Sequence, residues 1–465
     1  MATVAERLAR FATALRYEEI PPDVVEAAKL HLLDLLGCGL AAHALGVATE
    51  GCLAMVELGG ERQATAIGIE RCLPAPNAAF ANAMLCHGLD FDDTHPDAVC
   101  HVSVVVGPTA LAAGEALGAA GSEIVAALVA GSEIVCRLGM AASGEFHARG
   151  FHPTALCGIF GATAAAARLG GLDPEAATRA LGLAGSMAGG LLAFLDDGSP
   201  TKPLHPGWAA HGALLAARLA AHGAVGPRSV LEGRFGLFHA FLGRQGLDLD
   251  RELADLGTRW ETLRIAYKPY PACHLMHGAL GAVAKAAAGR TFAPDEVAEI
   301  VVTVPEPCVP VVLEPVAAKL APRTPYEAKF SLQYCAAAML RYGRVGLKTY
   351  AADAIGDPEV LTLARRVRYA VKPYPTYPKA YPGGVRIRLQ DARVLEAEAP
   401  YQKGTCENPL SADEVRGKFR GNATLALAEA ARDALEHAIL SLERVGDLRA
   451  ALAPLGVAGT AGSRR

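Results

Sequence analysis

Segments rich in Ala and Gly, with apolar residues at helical spacing, dominate the first 265 residues of this chain. Small side chains let helix axes approach closely, so these segments predict a core of tightly packed helices. With 465 residues, 52% of them hydrophobic, the chain has enough apolar surface for a large core and is not disordered. The clearest helical spacing is found at 24–40, 103–117, 123–138, 154–169 and 174–190.

Prolines crowd residues 266–405, where the first strand-like patterns appear. Residues 299–304 are mostly β-branched and predict a strand. Residues 384–389 and 392–397 alternate in period two around Gln390-Asp391, which predicts a hairpin. This region therefore reads as a compact α+β domain.

Capping signals mark helices late in the chain. Thr324, with Pro and Glu one and three residues later, predicts a helix that continues over 328–341. Ser411, with Glu three residues later, predicts a helix from 411 to about 420, and helical spacing resumes over 423–442. Because helices lie on both sides of it in the sequence, the α+β region looks inserted.

The fold class predicted from these patterns is mainly α. A large all-α helical domain comprises residues 1–265 and 406–455, and a smaller α+β domain, residues 266–405, is inserted into it. Residues 456–465 are predicted to form a disordered tail.

Charge and targeting patterns restrict the partners. The chain carries 44 Lys and Arg against 48 Asp and Glu, a net charge of −4, without a block of like charge, so we expect neither nucleic acid nor a membrane as partner. The N-terminus has no secretory apolar segment, and residues 180–195 are too short and too rich in Gly to span a bilayer, which predicts a cytoplasmic protein. The expected partner is a small molecule.

The usual cofactor motifs are missing from the sequence. It contains neither a dinucleotide-binding Gly motif after a strand nor a phosphate-binding loop. The 11 cysteines form no C-x-x-C pair, which argues against a zinc site and against a disulfide framework.

Residues 87–101 hold four carboxylates and three imidazoles between apolar segments. Unpaired buried charges are costly, so such a cluster is expected either to face solvent or to perform chemistry. If residues 83–94 are helical, His87, Asp90 and Thr94 share one face and His101 folds back toward it. Asp92, Asp93 and Asp97 are then expected to be structural; the alternative is that they cap helix ends and that His101 caps the next helix.

Three other basic segments, around His152, Lys202 and Lys268, contain prolines that restrict their backbones. Each alone is typical of a surface loop, but four unusual segments in one chain favour an active site. Lysines would hold substrate carboxylates, while a His and an Asp would transfer a proton at the adjacent carbon, as in dehydration and epimerisation. The residues concerned are His152 in the first segment, Lys202 and His205 in the second, and Lys268, Cys273 and His274 in the third.

Seven ordered motifs resemble the MmgE/PrpD family, which includes 2-methylcitrate dehydratase, cis-aconitate decarboxylase and iminodisuccinate epimerase. The resemblance runs almost end to end and is more specific than any single motif. The motifs are PDVVEAAKLHLLDLLG at 22–37, HGLDFDDT at 87–94, GFHPT at 150–154, TKPLHPG at 201–207, YKPYPACHLMH at 267–277, AKFSLQY at 328–334, and NPLS at 408–411 with Lys418-Phe419.

The resemblance implies a homodimer in which the inserted α+β domain acts as a lid on the all-α domain. It implies no metal, iron–sulfur cluster or organic cofactor. By motif position it also implies a set of active-site residues, namely Asp90, Thr94, His101, His152, Lys202 and Lys268.

The predicted function is that of a cofactor-independent lyase that dehydrates a di- or tricarboxylate. His101 is the expected acid or base, and Asp90 orients it or shares its proton. The predicted catalytic residues are His101, Asp90, Lys202 and His152, and the predicted substrate-binding residues are Thr94, Lys268, Cys273, His274 and His205.

Other functions remain open at this point. An epimerase or isomerase would use the same groups with an acid on the opposite face. A decarboxylase is less favoured, because Cys273 stands where the decarboxylase-like members carry His. The spacing Asp92-Asp93-x-x-x-Asp97 is similar to the magnesium-binding aspartates of isoprenoid synthases, but aromatic residues make up only 6% of the chain. A non-catalytic binding protein is the last alternative.

Overall fold

The computed structural model describes residues 2–456, which are mainly helical. The first α-helices are α1 (Val4–Ala14), α2 (Pro22–Ala44), α3 (Glu50–Leu58), α4 (Ala75–Gly88), α5 (Ser103–Leu117), α6 (Gly121–Met140), α7 (Glu145–Ala148), α8 (Pro153–Leu169), α9 (Pro174–Ala184), α10 (Phe194–Asp197), α11 (Leu204–Ala221) and α12 (Leu237–Leu242). They are followed by α13 (Leu249–Leu253), α14 (His277–Ala287), α15 (Val309–Val312), α16 (Val316–Leu320), α17 (Pro325–Ala328), α18 (Leu332–Tyr342), α19 (Ala352–Ile355), α20 (Pro358–Ala364), α21 (Ala412–Ala423), α22 (Glu429–Leu440) and α23 (Leu448–Gly456).

Strands and short 3-10 helices complete the described residues. The strands are β1 (Ala64–Ala66), β2 (Ile69–Leu73), β3 (Val297–Val304), β4 (Val367–Val371), β5 (Gly383–Leu389) and β6 (Val394–Ala399). The 3-10 helices are Tyr17–Glu19, Gly185–Met187, Glu261–Arg264, His274–Met276, Pro294–Glu296, Glu306–Cys308, Leu347–Tyr350 and Leu442–Arg444.

The chain divides into two compact units. The larger unit comprises the residues up to Ala193, Thr201–Ile265 and the residues from Ser411 onward. The smaller unit comprises Phe194–Pro200 and Ala266–Leu410. Gly456 ends α23, and the rest of the predicted disordered tail lies outside the described residues.

Close helix packing is a feature of the larger unit, as the Ala and Gly content predicts. A Cβ atom built on Gly161 of α8 would lie 2.3 Å from the carbonyl oxygen of Gly131 on α6, so only glycine permits this approach. The residues of α8 from Pro153 to Ala167 are buried on every side. The start of α8 is therefore held firmly against its neighbours.

The larger unit is not purely helical, so the prediction of an all-α domain needs a correction. β1 pairs antiparallel with β2, and Gly68, with a φ of +74°, makes the turn between them. β1 has only three residues, Ala-Thr-Ala, which is too short to show an alternating pattern. None of the helices among residues 2–456 combines the length and the apolar character that crossing a bilayer requires.

The helices confirm most of the predicted segments and correct others. α5 has the predicted bounds, and Ser411 caps α21 in a capping box with Glu414. The predicted helix over 328–341 is wrong at its start, because the Ser331 hydroxyl accepts from the amide of Tyr334 at 3.0 Å and begins a separate helix, α18. The segment predicted over 174–190 ends earlier, with α9 at Ala184.

The smaller unit contains a four-stranded sheet in the order β4-β3-β5-β6. β3 is parallel to β4 and antiparallel to β5. The predicted hairpin is confirmed as the antiparallel pair β5 and β6, in which Arg388 faces Val394. Ala392 has a φ of +68° and belongs to the turn, so β6 begins two residues later than the sequence predicts.

Candidate active site

The segment between α4 and α5 leaves the helix earlier than the sequence predicts. α4 ends at Gly88, and Asp90 adopts a left-handed conformation with a φ of +52°. Asp tolerates this conformation better than most residues, since its short polar side chain can bond locally. The prediction that His87, Asp90 and Thr94 share one helix face is therefore wrong.

Asp90, His101 and Lys202 lie together in the larger unit, as predicted. The Lys202 Nζ donates to Asp90 Oδ1 at 2.9 Å and lies 3.4 Å from His101 Nε2. The same Nε2 is 3.7 Å from Asp90 Oδ1. All three side chains are buried, so their charges interact in a medium of low polarity.

Asp92 occupies the centre of the cluster, contrary to the expectation that it projects elsewhere as a structural residue. Its Oδ2 lies 2.9 Å from Nδ1 of His87 and 3.0 Å from Nδ1 of His101. Burial alone would raise the pKa of Asp92, but the two imidazoles outweigh it and hold that pKa well below the ordinary carboxyl value. Burial lowers the pKa of His87, so a neutral ring donates to an ionised carboxylate.

The 3.0 Å distance between Asp92 Oδ2 and His101 Nδ1 favours one tautomer of this imidazole. Because an ionised carboxylate only accepts hydrogen bonds, the proton of a neutral His101 belongs on Nδ1, next to Asp92. The opposite nitrogen, Nε2, then carries a lone pair and faces the Lys202 ammonium. Asp92, rather than Asp90, holds the orienting position that a carboxylate takes beside a catalytic histidine.

A second layer of polar contacts anchors the ends of this segment. Asp93 lies 2.9 Å from Nδ1 of His31 and accepts the amide of Ser103 at 3.1 Å. Lys418 of α21 donates to the Phe91 carbonyl at 2.7 Å and to Asp34 at 2.9 Å. Asp93 thus connects α2, through His31, to the first residue of α5.

Two further imidazoles extend the cluster. His152 precedes α8, and its amide donates to the carbonyl of Gly190 at 3.0 Å. Its Nδ1 lies 3.1 Å from Nδ1 of His205 at the start of α11. Burial, reinforced by Lys202, lowers the pKa of His152 well below its ordinary value, and burial lowers the pKa of His205 to about 4.

Thr94 and Thr154 contribute hydroxyl groups. The amide of His101 donates to Thr154 Oγ1 at 3.0 Å, which ties the histidine to the first turn of α8. The Thr94 hydroxyl is buried and has no hydrogen-bond partner among residues 2–456. A buried hydroxyl without a partner is costly, which is consistent with its predicted role in substrate binding.

The remaining predicted residues belong to the smaller unit. Lys268 is fully buried there. The Cys273 amide donates to the carbonyl of Lys329 at 3.0 Å, and Cys273 precedes the short helix that begins at His274. The His274 ring packs edge-on against Tyr381, with centroids 5.2 Å apart. Cys273 and His274 are both buried.

Two sets of side chains in the larger unit bring donor atoms within 4.8 Å of one another, as a metal ion would require. They are His87, His101 and His152, and Asp90, Asp92 and His101. Lys202 already places an ammonium beside both sets, 2.9 Å from Asp90. A metal ion would face this charge at close range, so the arrangement suits an anionic ligand better.

Sequence reasoning missed Asp92 and left His87 out of the candidate residues. One signal could have found them. Gly88 directly after His87 is typical of a helix end, and an Asp two residues later tolerates the left-handed conformation. A chain that leaves the helix at Asp90 no longer keeps Asp92 away from His87.

Known proteins resemble the chain over nearly its whole length. The model of the MmgE/PrpD N-terminal domain matches residues 6–250, and that of the MmgE/PrpD C-terminal domain matches residues 270–444. A cis-aconitate decarboxylase-like protein of Aspergillus oryzae is 28% identical over 469 residues, which cover 97% of this chain and 96% of that protein.

Two mammalian proteins show a similar relationship. The cis-aconitate decarboxylase of Mus musculus is 30% identical, over 96% of this chain and 91% of its own length. The cis-aconitate decarboxylase of Homo sapiens is 30% identical, over 94% and 92%. These matches, with the two domain models, confirm what the motifs predict: the chain belongs to the MmgE/PrpD family.

Proposed function

We propose that this chain is a lyase of a small di- or tricarboxylate, with His101 as the group that transfers a proton at the carbon next to a carboxylate. The observation that carries the proposal is the buried sequence of contacts from Asp92 to His101 to Lys202. Asp92 orients the imidazole, and the ammonium beside Nε2 supplies positive charge where an anionic substrate would react.

The charges of Asp92, His101 and Lys202 define what each residue would do in the reaction. A substrate carboxylate that pairs with Lys202 would bring its neighbouring carbon close to His101 Nε2. Removing a proton from that carbon places negative charge on the carboxylate, and the ammonium stabilises it. The imidazolium that forms on His101 is in turn stabilised by the ionised Asp92.

Dehydration requires a base that is unprotonated before the substrate reacts. The carbon–hydrogen bond breaks and its proton goes to Nε2. The carbon–oxygen bond then breaks, the hydroxyl takes a proton from solvent and leaves as water, and Nε2 returns its proton to solvent, so no net proton is gained or lost. The contact between Lys202 Nζ and His101 Nε2 supports this order, because a lysine ammonium only donates and so favours a lone pair on Nε2.

Decarboxylation is the second candidate, and the relatives favour it. Of three relatives that match almost the full chain, two are named cis-aconitate decarboxylase and one is named a cis-aconitate decarboxylase-like protein. In that reaction a carbon–carbon bond breaks, carbon dioxide leaves, and the remaining carbanion takes a proton from His101. Cys273 of the smaller unit argues against decarboxylation, because this thiol stands where the decarboxylase-like members of the family carry a histidine.

Substrate binding by the other predicted residues remains part of the proposal. Thr94, His152 and His205 of the larger unit are proposed to contact the substrate or to transfer protons. Lys268 is a second buried lysine, which we propose to hold a substrate carboxylate, and Cys273 and His274 are further candidates.

The decisive assay offers the purified protein 2-methylcitrate, citrate and cis-aconitate in deuterated water. New ultraviolet absorbance of an alkene shows dehydration, release of carbon dioxide shows decarboxylation, and solvent exchange without either product shows epimerisation. The variant His101→Ala should lose turnover and keep its fold, while His222→Asn, at the exposed end of α11, should behave as the wild type. Turnover by His101→Ala equal to that of the wild type would refute the proposal.

We also propose that the protein is a homodimer, as the family resemblance implies. Light scattering behind size-exclusion chromatography should give about twice the chain mass of 48.2 kDa. A mass equal to one chain would refute it.

A further inference from the structure

A row of imidazoles leads outward from the buried Asp92. The His87 and His101 rings are in edge contact, with centroids 4.5 Å apart, and His152 lies 5.7 Å from the first and 6.1 Å from the second. His205 follows at 5.2 Å from His152. The first three rings are buried, whereas His205 is only half-buried at the start of α11.

We propose that His152 and His205 form a proton relay between the active site and solvent. The inference rests on the proposed function. Each turnover of such a lyase moves protons at the site: dehydration places the carbon's proton on the base and needs one for the leaving hydroxyl, and decarboxylation takes one from solvent for the product carbon. Because His101 is 7% exposed, these protons need a route.

The contact between His152 and His205 has the geometry of a relay. Their Nδ1 atoms are 3.1 Å apart, which is hydrogen-bond distance for a ring N–H and a ring lone pair. Both rings have lowered pKa values and are neutral near pH 7, because burial disfavours their charged forms. A neutral imidazole has one donor and one acceptor nitrogen, so it can take a proton on one side and release another on the opposite side.

The local backbone is shaped around this pair. Gly190 accepts the amide of His152 at 3.0 Å and has a φ of +136°. A Cβ atom on Gly190 would lie 3.2 Å from the Cγ of His205, so a larger residue there would press on the ring. Pro153 and Pro206 directly follow the two histidines and restrict their backbones.

The inward transfer moves one proton from solvent to His101 through His205 and His152. A proton from solvent binds Nε2 of His205 while the proton on its Nδ1 moves to Nδ1 of His152. His152 then releases the proton from its Nε2 toward His101. One ring nitrogen of His152 and one of His101 lie within 4.8 Å of each other, a gap that one water molecule or a substrate hydroxyl can bridge. After an inward transfer the proton of each ring lies on the opposite nitrogen, so both rings must return to their first tautomers before the next inward transfer. The outward transfer reverses each step, and no redox partner is required.

The test uses His205→Ala and His205→Asn, with His222→Asn, directly after the same helix, as control. His205→Ala should lower kcat by about tenfold or more in dilute buffer, with KM changed by less than about threefold, and free imidazole should restore most of the lost rate. His205→Asn keeps an amide beside His152 but cannot relay a proton, so it should stay slow. A rise in KM with an unchanged kcat, or a loss that imidazole does not restore, would identify His205 as a substrate-binding or structural residue and overturn the relay.

A second measurement does not depend on turnover. In protein labelled with nitrogen-15 in histidine, the ring N–H signal of His152, identified by its loss in His152→Gln, reports exchange with water through saturation transfer. This exchange should slow by about tenfold in His205→Asn and recover in His205→Ala with imidazole. Equal exchange in wild type and His205→Asn would overturn the relay, even if every tested acid failed as a substrate and the proposed function fell with them.

Discussion

The Oδ2 atom of Asp92 lies 3.0 Å from Nδ1 of His101, and the same oxygen lies 2.9 Å from Nδ1 of His87. One carboxylate therefore orients two imidazoles from within a fully buried site. Because its pKa stays well below the ordinary value, Asp92 remains ionised throughout the neutral pH range.

Replacing Asp92 with Asn should lower kcat by about a hundredfold or more, with a small effect on KM. The amide cannot stabilise an imidazolium on His101, and its NH₂ group favours the wrong tautomer. Steady-state kinetics on the substrate identified above measure the change. Asp97→Asn is the matched control, since Asp97 is half-buried in the same segment and accepts a long contact, 3.4 Å, from the Ser143 hydroxyl; equal losses in both variants would contradict the assigned role.

Lys202→Met should abolish activity and also destabilise the fold. The substitution leaves the buried Asp90 carboxylate without its 2.9 Å partner, which costs about 3 kcal/mol of unfolding free energy. The double variant Lys202→Met with Asp90→Asn should regain most of this stability but none of the activity. Urea unfolding and turnover assays separate the two effects, and a double variant as unstable as Lys202→Met would argue against a charge-pairing role.

Asp34 should make stability depend on pH below about 6. Burial raises the pKa of Asp34 from 3.8 to about 6, although Lys418 opposes the shift. The folded protein therefore binds this proton more tightly than the unfolded chain, so the contribution of Asp34 to stability is full below pH 4 and is lost as the pH rises to 6. A shift of this size corresponds to about 3 kcal/mol.

The variant Asp34→Asn isolates this effect, because it is uncharged at every pH. Between pH 4 and pH 6 the unfolding free energy of the wild type should fall relative to that of the variant, as measured by urea titration at several pH values. A constant difference between the two proteins across this range would show that Asp34 does not titrate there.

Two glycine substitutions should have opposite effects. Gly161→Ala places a Cβ atom 2.3 Å from the Gly131 carbonyl and should cost about 3 kcal/mol or more, because α6 and α8 must separate. Gly417→Ala, on the exposed face of α21 with no atom within 4 Å of the new Cβ, should stabilise the protein by about 0.5–1 kcal/mol. Thermal unfolding of both variants would reveal any departure from this order.

The sequence predicts elements well where one local signal dominates. The bounds of α5 and the cap at Ser411 follow from periodicity and capping chemistry, which act within a few residues. The hairpin of β5 and β6 follows from alternation, since β5 buries every second residue over its last five positions. The short β1 carries no such signal and was not predicted.

The site is predicted less completely, because its geometry depends on one backbone angle. Asp90, His101 and Lys202 come together as the motifs suggest. The left-handed turn at Asp90 decides, however, that Asp92 rather than Asp90 contacts Nδ1 of His101. Helical spacing could not show this, since it assumes the helix that the turn interrupts.

Lys418 lies near the end of the chain and yet holds the backbone of Phe91, whose ring is 3.9 Å from the ammonium. A ribosome makes the N-terminal part of a protein first, so Phe91, Asp92 and His101 are translated more than 300 residues before this lysine. A nascent chain can already contain every imidazole of the site and still lack the lysine that binds the Phe91 carbonyl. Folding of this segment is therefore tied to the synthesis of α21, and a message truncated before α21 would encode a protein in which Lys418 does not anchor the Phe91 backbone.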